Sequence, residues 1–249
     1  MEPTCTYGPA FVTPLYEQDE LSLLTGGTLR PGGLALTTEI LTCCKPSPGC
    51  SVLDVGCGPG HTVALMTTDF GLRVTGLDTS AAMLAKAACL TPDANFLKGE
   101  ATAIPCKSHS FEMVISECVL SLTGDIDKSL QEMFRVLRPG GLLILTDIYC
   151  KKSGLKPDLP NLRSCIGSAL PLEIIEKGLY NAGFTLHTLR DRSDLLKQLA
   201  GQIIFSYGSL EKFWQLFMGA EAARRTSCAL AAVSLGYYLL IAEKGVNNG

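Results

Sequence analysis

The run S-V-L-D-V-G-C-G-P-G, residues 51 to 60, limits the fold of this chain more than any other stretch. A β-type run passes straight into closely spaced glycines and then into a helical pattern. Gly56, Gly58 and Gly60 let a backbone turn sharply and approach a ligand closely. The dinucleotide fingerprint G-x-G-x-x-G needs its third glycine at position 61, which is His61, so the pattern is G-x-G-x-G. Short β-type runs then alternate with helical patterns: strands near 51, 73, 94, 111 and 141, helices over about 60–69, 80–90 and 125–137. Such alternation predicts an α/β fold, a doubly wound, Rossmann-like parallel sheet covered on both faces. A helix near 171–182, a strand at 184 and a terminal strand at 237–243 bring the sheet to seven strands.

Two further segments flank this sheet. Residues 1–50 form an N-terminal cap or lid segment, and 51–249 the main domain, with a mainly helical insert over about 193–230. Both are candidates for a cover over the carboxyl ends of the strands, where open α/β sheets bind ligands.

The glycine pattern resembles the first motif of class I S-adenosylmethionine-dependent methyltransferases, with Asp54 as the acidic residue that family places within it. The resemblance continues in order along the chain. It implies S-adenosylmethionine as cofactor, with Asp78 in G-L-D-T-S on the ribose hydroxyls, which a carboxylate accepts from together. It implies Thr79 as N-cap of the next helix and Met83 against the adenine. G-E-A-T-A-I-P at 99–105 matches the segment holding the adenine edge through Glu100 and Ala101, with Glu100 where aspartate is usual. At Ser116 the family holds the methionine amino group by a backbone carbonyl. Cys57 reads as packing. Arg30, in L-R-P-G-G, either reaches the cofactor carboxylate from the lid or sits in a polar turn.

Eleven cysteines would suit a disulfide framework, but the start M-E-P-T-C-T-Y-G-P-A-F has neither a basic region nor an apolar one. The expectation is therefore reduced thiols in the cytoplasm. No C-x-x-C occurs and no histidine stands at ligand spacing to a cysteine, which predicts no metal site. The most apolar stretch, Ser227 to Ala242, is too short for a bilayer span. A net charge of −3 without a basic cluster argues against nucleic acid as partner. A small-molecule substrate remains, and the oligomeric state stays open.

Methyl transfer needs a nucleophile held against the methyl group with water kept out. I-S-E-C-V-L-S-L-T-G-D-I-D-K, followed by R-V-L-R-P-G-G-L-L-I-L-T-D-I-Y, resembles arsenite methyltransferases, which have a cysteine at the Cys118 position. A second family cysteine precedes a G-x-A-L segment, as Cys165 does in S-C-I-G-S-A-L. The resemblance, over about residues 51–190, implies that both thiols bind trivalent arsenic. Cys150 is a possible third thiol, whereas Cys5, Cys43 and Cys44 have no counterpart. Glu117 stands where that family has asparagine, and is the alternative catalytic residue, a general base for a hydroxyl, amine or carbon acid. A non-catalytic S-adenosylmethionine- or metalloid-binding module is the remaining alternative.

Overall fold

The structure, a computed structural model, describes residues 27, 28, 30–151 and 164–245. Cys5, most of the N-terminal segment and residues 152–163 lie outside them. The described elements are α1 (Gly33–Cys44), β1 (Ser51–Val55), α2 (His61–Thr68), β2 (Arg73–Asp78), α3 (Ala81–Leu90), β3 (Asn95–Lys98) and β4 (Phe111–Glu117). After a short 3-10 turn at Leu120–Leu122 come α4 (Ile126–Val136), β5 (Leu137–Cys150), α5 (Leu172–Ala182) and β6 (Phe184–Asp191). Three helices, α6 (Ser193–Tyr207), α7 (Leu210–Trp214) and α8 (Ala220–Ala232), precede β7 (Leu235–Lys244).

The seven strands form one sheet in the order β3-β2-β1-β4-β5-β7-β6. Successive side chains on a strand point to opposite faces, and two separate cores follow from that. Val52, Met113, Ile115, Ile144 and Tyr237 pack on one face with Leu36, Ile40, Val63 and Met66 of α1 and α2. Their chain neighbours Leu53, Val114, Leu145 and Tyr238 pack on the other with Leu130 and Met133 of α4 and Ile175 of α5. A strand apolar on both faces is what a doubly wound sheet requires.

Strands β1 to β5 are parallel, as expected, but β7 runs antiparallel to β5 and β6. The path of the chain explains this. β6 ends at Asp191, three helices follow, and Leu235 then enters the sheet beside Cys150, at the carboxyl end of β5. A strand entering from that end must run the other way. The same path puts the connections to α6–α8 at the carboxyl end of the sheet. The insert has its own small core of Phe213, Trp214 and Ala223, against which Ile166 packs. Lys244, last in β7, donates to the carbonyls of Phe134 (2.7 Å) and Leu137 (2.8 Å). It thereby occupies acceptors that a helix end leaves unpaired.

Candidate active site

The strand order reverses between β1 and β4, so their carboxyl ends part and leave a crevice. The first glycine loop turns there, held by Gly56 N and Cys57 N donating to the Leu77 carbonyl at 2.7 and 3.0 Å. Its glycines divide the work. Gly60, at φ 88°, caps α2, and a Cβ there would lie 2.7 Å from that of Ala87, so this glycine lets α2 approach α3. A Cβ on Gly56 would run into Val119, whereas one on Gly58 would meet nothing within 4 Å. Gly56 and Gly60 thus also meet steric demands of the fold itself, and open space lies beside Gly58. Cys57 is buried, and burial pushes its thiol well above the ordinary range, as suits a packing residue.

Asp78 accepts from Gly58 N (2.8 Å) on one oxygen and from Ser80 N (2.9 Å) on the other. It retains acceptor capacity for a hydroxyl-bearing ligand. The cap of α3 is Ser80, whose hydroxyl accepts from Met83 N; Thr79 is exposed and one residue too early. Met83 is buried, as is Ala101, while Glu100 is exposed and bridges to Ala103. The 104–106 segment beside them is tied to α4. Glu132 accepts from Ile104 N at 2.8 Å, and Arg135 donates to the carbonyls of Cys106 (2.7 Å) and Ile104 (2.9 Å). Ser116 ends the shared register of β1, β4 and β5, pairing with Val55 and Leu145.

Besides Asp78, Asp54 and Glu117 stand near this crevice. Asp54 is buried with its Oδ2 unpartnered, and burial, followed by the charge of Glu117, pushes it up to about 8. Glu117 is buried too, but it receives Thr37 Oγ1 (3.0 Å), Thr62 Oγ1 (3.2 Å) and the Arg30 guanidinium (2.8 Å). Arg30 is buried in the turn before α1, where its carbonyl accepts from Gly33 N, and its Nη2 is held by Thr37 and Glu117. It fastens the segment before α1 to the end of β4.

Cys118 directly follows β4 at φ 57°, a left-handed conformation uncommon outside glycine and asparagine. Its amide donates to the Thr146 carbonyl (2.7 Å) and its thiol contacts the Tyr237 hydroxyl at 3.8 Å. Cys165 arrives from a turn fastened to β5, where Cys150 N donates to the Leu170 carbonyl. The two thiols meet. A hydrogen bond with Cys165, followed by burial, raises the Cys118 thiol well above its ordinary range. Asp147 joins them: one ligand atom each from Cys118, Asp147 and Cys165 lies within 4.8 Å of the others, and all three residues are buried. The expectation of no metal site weighed C-x-x-C and histidine spacing, and a cluster gathered from three separate elements shows neither. Cys150 is buried at the end of β5 outside that cluster.

Asp147 was missed in the sequence. Its signal was present in L-T-D-I, a polar pair inside a strand otherwise apolar on both faces. Such a residue is buried only when something partners it. Here Ser121 N (2.9 Å), Ser121 Oγ (3.0 Å) and Ile148 N (2.7 Å) do so, while burial pushes its carboxyl up to about 6.

Residues 53–145 match the methyltransferase domain family. An uncharacterised methyltransferase of Bacillus subtilis, YodH, is 38% identical over 136 residues, 53% of this chain and 58% of that protein. An arsenite methyltransferase of Aquipseudomonas alcaligenes is 30% identical over 194 residues, 71% of this chain and 54% of the relative. The chain thus spans little more than half the length of either protein. In structure it is similar to phosphoethanolamine N-methyltransferase 2 of Haemonchus contortus, solved with phosphomonomethylethanolamine and S-adenosylhomocysteine. That likeness has a TM-score of 0.73 and 23% identity, over 90% of this chain and 56% of the other.

Proposed function

Because the chain belongs to the class I S-adenosylmethionine-dependent methyltransferases, with S-adenosylmethionine as cofactor, we propose that it methylates a small thiophilic substrate, a trivalent arsenic-like centre held by Cys118 and Cys165. One observation carries the reading. Two cysteines from distant parts of the chain meet in a buried cluster beside the carboxyl end of β4. Cys118 also keeps a left-handed backbone. Such strain costs on the order of 1–3 kcal/mol and persists where the surroundings demand it.

The residues present fit the cofactor. Asp54 offers an unpartnered buried carboxyl oxygen, and Asp78 has unused lone pairs that suit the hydroxyls of such a ligand. In this reading Asp78 takes the ribose hydroxyls, Met83 and Ala101 line the base with Glu100 at its rim, and the Ser116 carbonyl meets the amino group. Gly58 leaves room for close approach. The bound cofactor supplies an electrophilic methyl group on sulfur. Cys118 and Cys165 orient the acceptor, giving up their protons as they bind it, because only the thiolate ligates. Soft thiolates suit a soft metalloid, and their burial keeps water from the methyl group.

The alternative acceptor, a hydroxyl, amine or carbon acid with Glu117 as base, is less well served. Both oxygens of Glu117 are already occupied by Arg30, Thr37 and Thr62, so a base role would require one of these partners to be displaced. The test is formation of S-adenosylhomocysteine from S-adenosylmethionine and arsenite by the reduced chain. Cys118→Ser and Cys165→Ser should each abolish it and leave cofactor affinity within about twofold, since neither thiol is assigned to the cofactor. Unchanged turnover in both variants would move the acceptor to another chemical class.

A further inference from the structure

The cluster holds more than a thiol pair. Cys118 follows β4, Asp147 lies in the carboxyl half of β5, and Cys165 precedes α5; the fold gathers their ligand atoms within 4.8 Å, away from water. Asp147 is fixed by donors from Ser121 and Ile148, three in all. A carboxylate has about four lone-pair positions, so one stays unused beside the two thiols. Resting on the reading that these thiols hold the substrate, we infer that Asp147 is the third donor, and that the site takes a trivalent centre with all three valences exchangeable.

Charge balance selects the valence. Two thiolates and a carboxylate carry three negative charges, and an uncompensated charge away from water is costly. A trivalent centre cancels all three, whereas a divalent ion such as zinc leaves one over. Arg30 does not supply the difference, because it is committed to Glu117. For arsenite the step is an exchange without oxidation or reduction. Three As–O bonds break, two As–S bonds and one As–O bond to Asp147 form, and three hydroxyls leave as water. Their protons come from both thiols and from the carboxylic acid or solvent. The three donors occupy one side of a pyramidal centre and leave its lone pair on the other. A centre already bearing one carbon has two exchangeable valences, so it satisfies the thiols and leaves Asp147 unused. The carboxylate thereby discriminates between unsubstituted and carbon-bearing centres.

The test uses the full chain carrying Cys43→Ser and Cys44→Ser, because those adjacent thiols, one exposed and one half-buried, would capture arsenicals themselves. Arsenite has three exchangeable valences and phenylarsine oxide two. In this background Asp147→Asn should weaken arsenite binding by about 10–100-fold, as losing a group that supports a metal site does. Phenylarsine oxide binding should stay within about twofold. Equal losses for both probes, or none for arsenite, would overturn Asp147 as a donor and leave the thiol pair standing. Unchanged binding of both probes in Cys118→Ser and Cys165→Ser would instead remove the thiol reading itself. If Asp147→Asn does not fold, native mass spectrometry of the background protein decides. An arsenite adduct formed with loss of three waters supports the third bond; one heavier by a water has kept a hydroxyl and overturns it. Zinc binding as tight as arsenite binding would overturn the trivalent assignment.

Discussion

Asp54 and Asp78 stand on neighbouring strands at the same end of the sheet and differ in their hydrogen-bond partners. Asp78 accepts from two backbone amides. Asp54 is buried beside Glu117 and is pushed up to about 8. A carboxyl that binds its proton more tightly folded than unfolded stabilises the fold at low pH, and this contribution is lost as the pH climbs from about 4 through about 8. The expected slope is at most about 1.4 kcal/mol per pH unit. Asp54→Asn should flatten it, so the variant gains on the parent toward alkaline pH; denaturant melts across that window, giving parallel curves, would contradict this. Asp78→Ala should weaken S-adenosylhomocysteine binding by about 1.5–3 kcal/mol. It should also lower the melting temperature, because Gly58 N and Ser80 N lose their acceptor. Calorimetry with unchanged affinity would take Asp78 out of the site.

Among the elements, α4 works at a distance. Its Asp125 cap accepts from Lys128 N, and at the other end Glu132 and Arg135 grip the 104–106 segment. That grip fixes the end of the piece of chain assigned to the adenine edge. Arg135→Ala removes donors from two partly buried carbonyls and should cost on the order of 1–2 kcal/mol in stability. It should raise KM for S-adenosylmethionine more than it lowers kcat. A kcat loss at constant KM would show that α4 acts on the chemistry by another route.

At the scale of the molecule, the stretch from Arg30 through α1 meets the start of the helical insert. Arg192 pairs with Glu39 at 2.9 Å, and a Cβ on Gly32 would press on Leu195. Arg30 and Thr37 reach from the same segment to Glu117, next to Cys118. Part of the insert packs on a small core of its own, while its Leu195 and Leu196 pack on the sheet face that carries α1. If these pieces form a cover, amide exchange over 30–44 and 193–232 should slow when S-adenosylhomocysteine binds. Identical exchange with and without it would leave them as fixed parts of the wall.

The sequence by itself determined the sheet, the order of its elements and the cofactor loop, because their causes are local. Strand runs such as L-L-I-L carry apolar residues at every position, the glycines act where they stand, and a carboxylate at a strand end follows the chain. Short-range chemistry still erred by one residue at the α3 cap, where Ser80 displaces Thr79, since both can supply a hydroxyl and only the backbone path decides. Tertiary structure alone decided what depends on where the chain returns. The insert comes back at the carboxyl end of β5, and that makes β7 antiparallel. Arg30 and Glu117, far apart in sequence, become a buried ion pair because α1 folds over the end of β4. Cys118, Asp147 and Cys165 form one cluster because β4 and β5 are neighbours and the turn before α5 is fastened to the end of β5. No spacing in a linear sequence encodes that proximity.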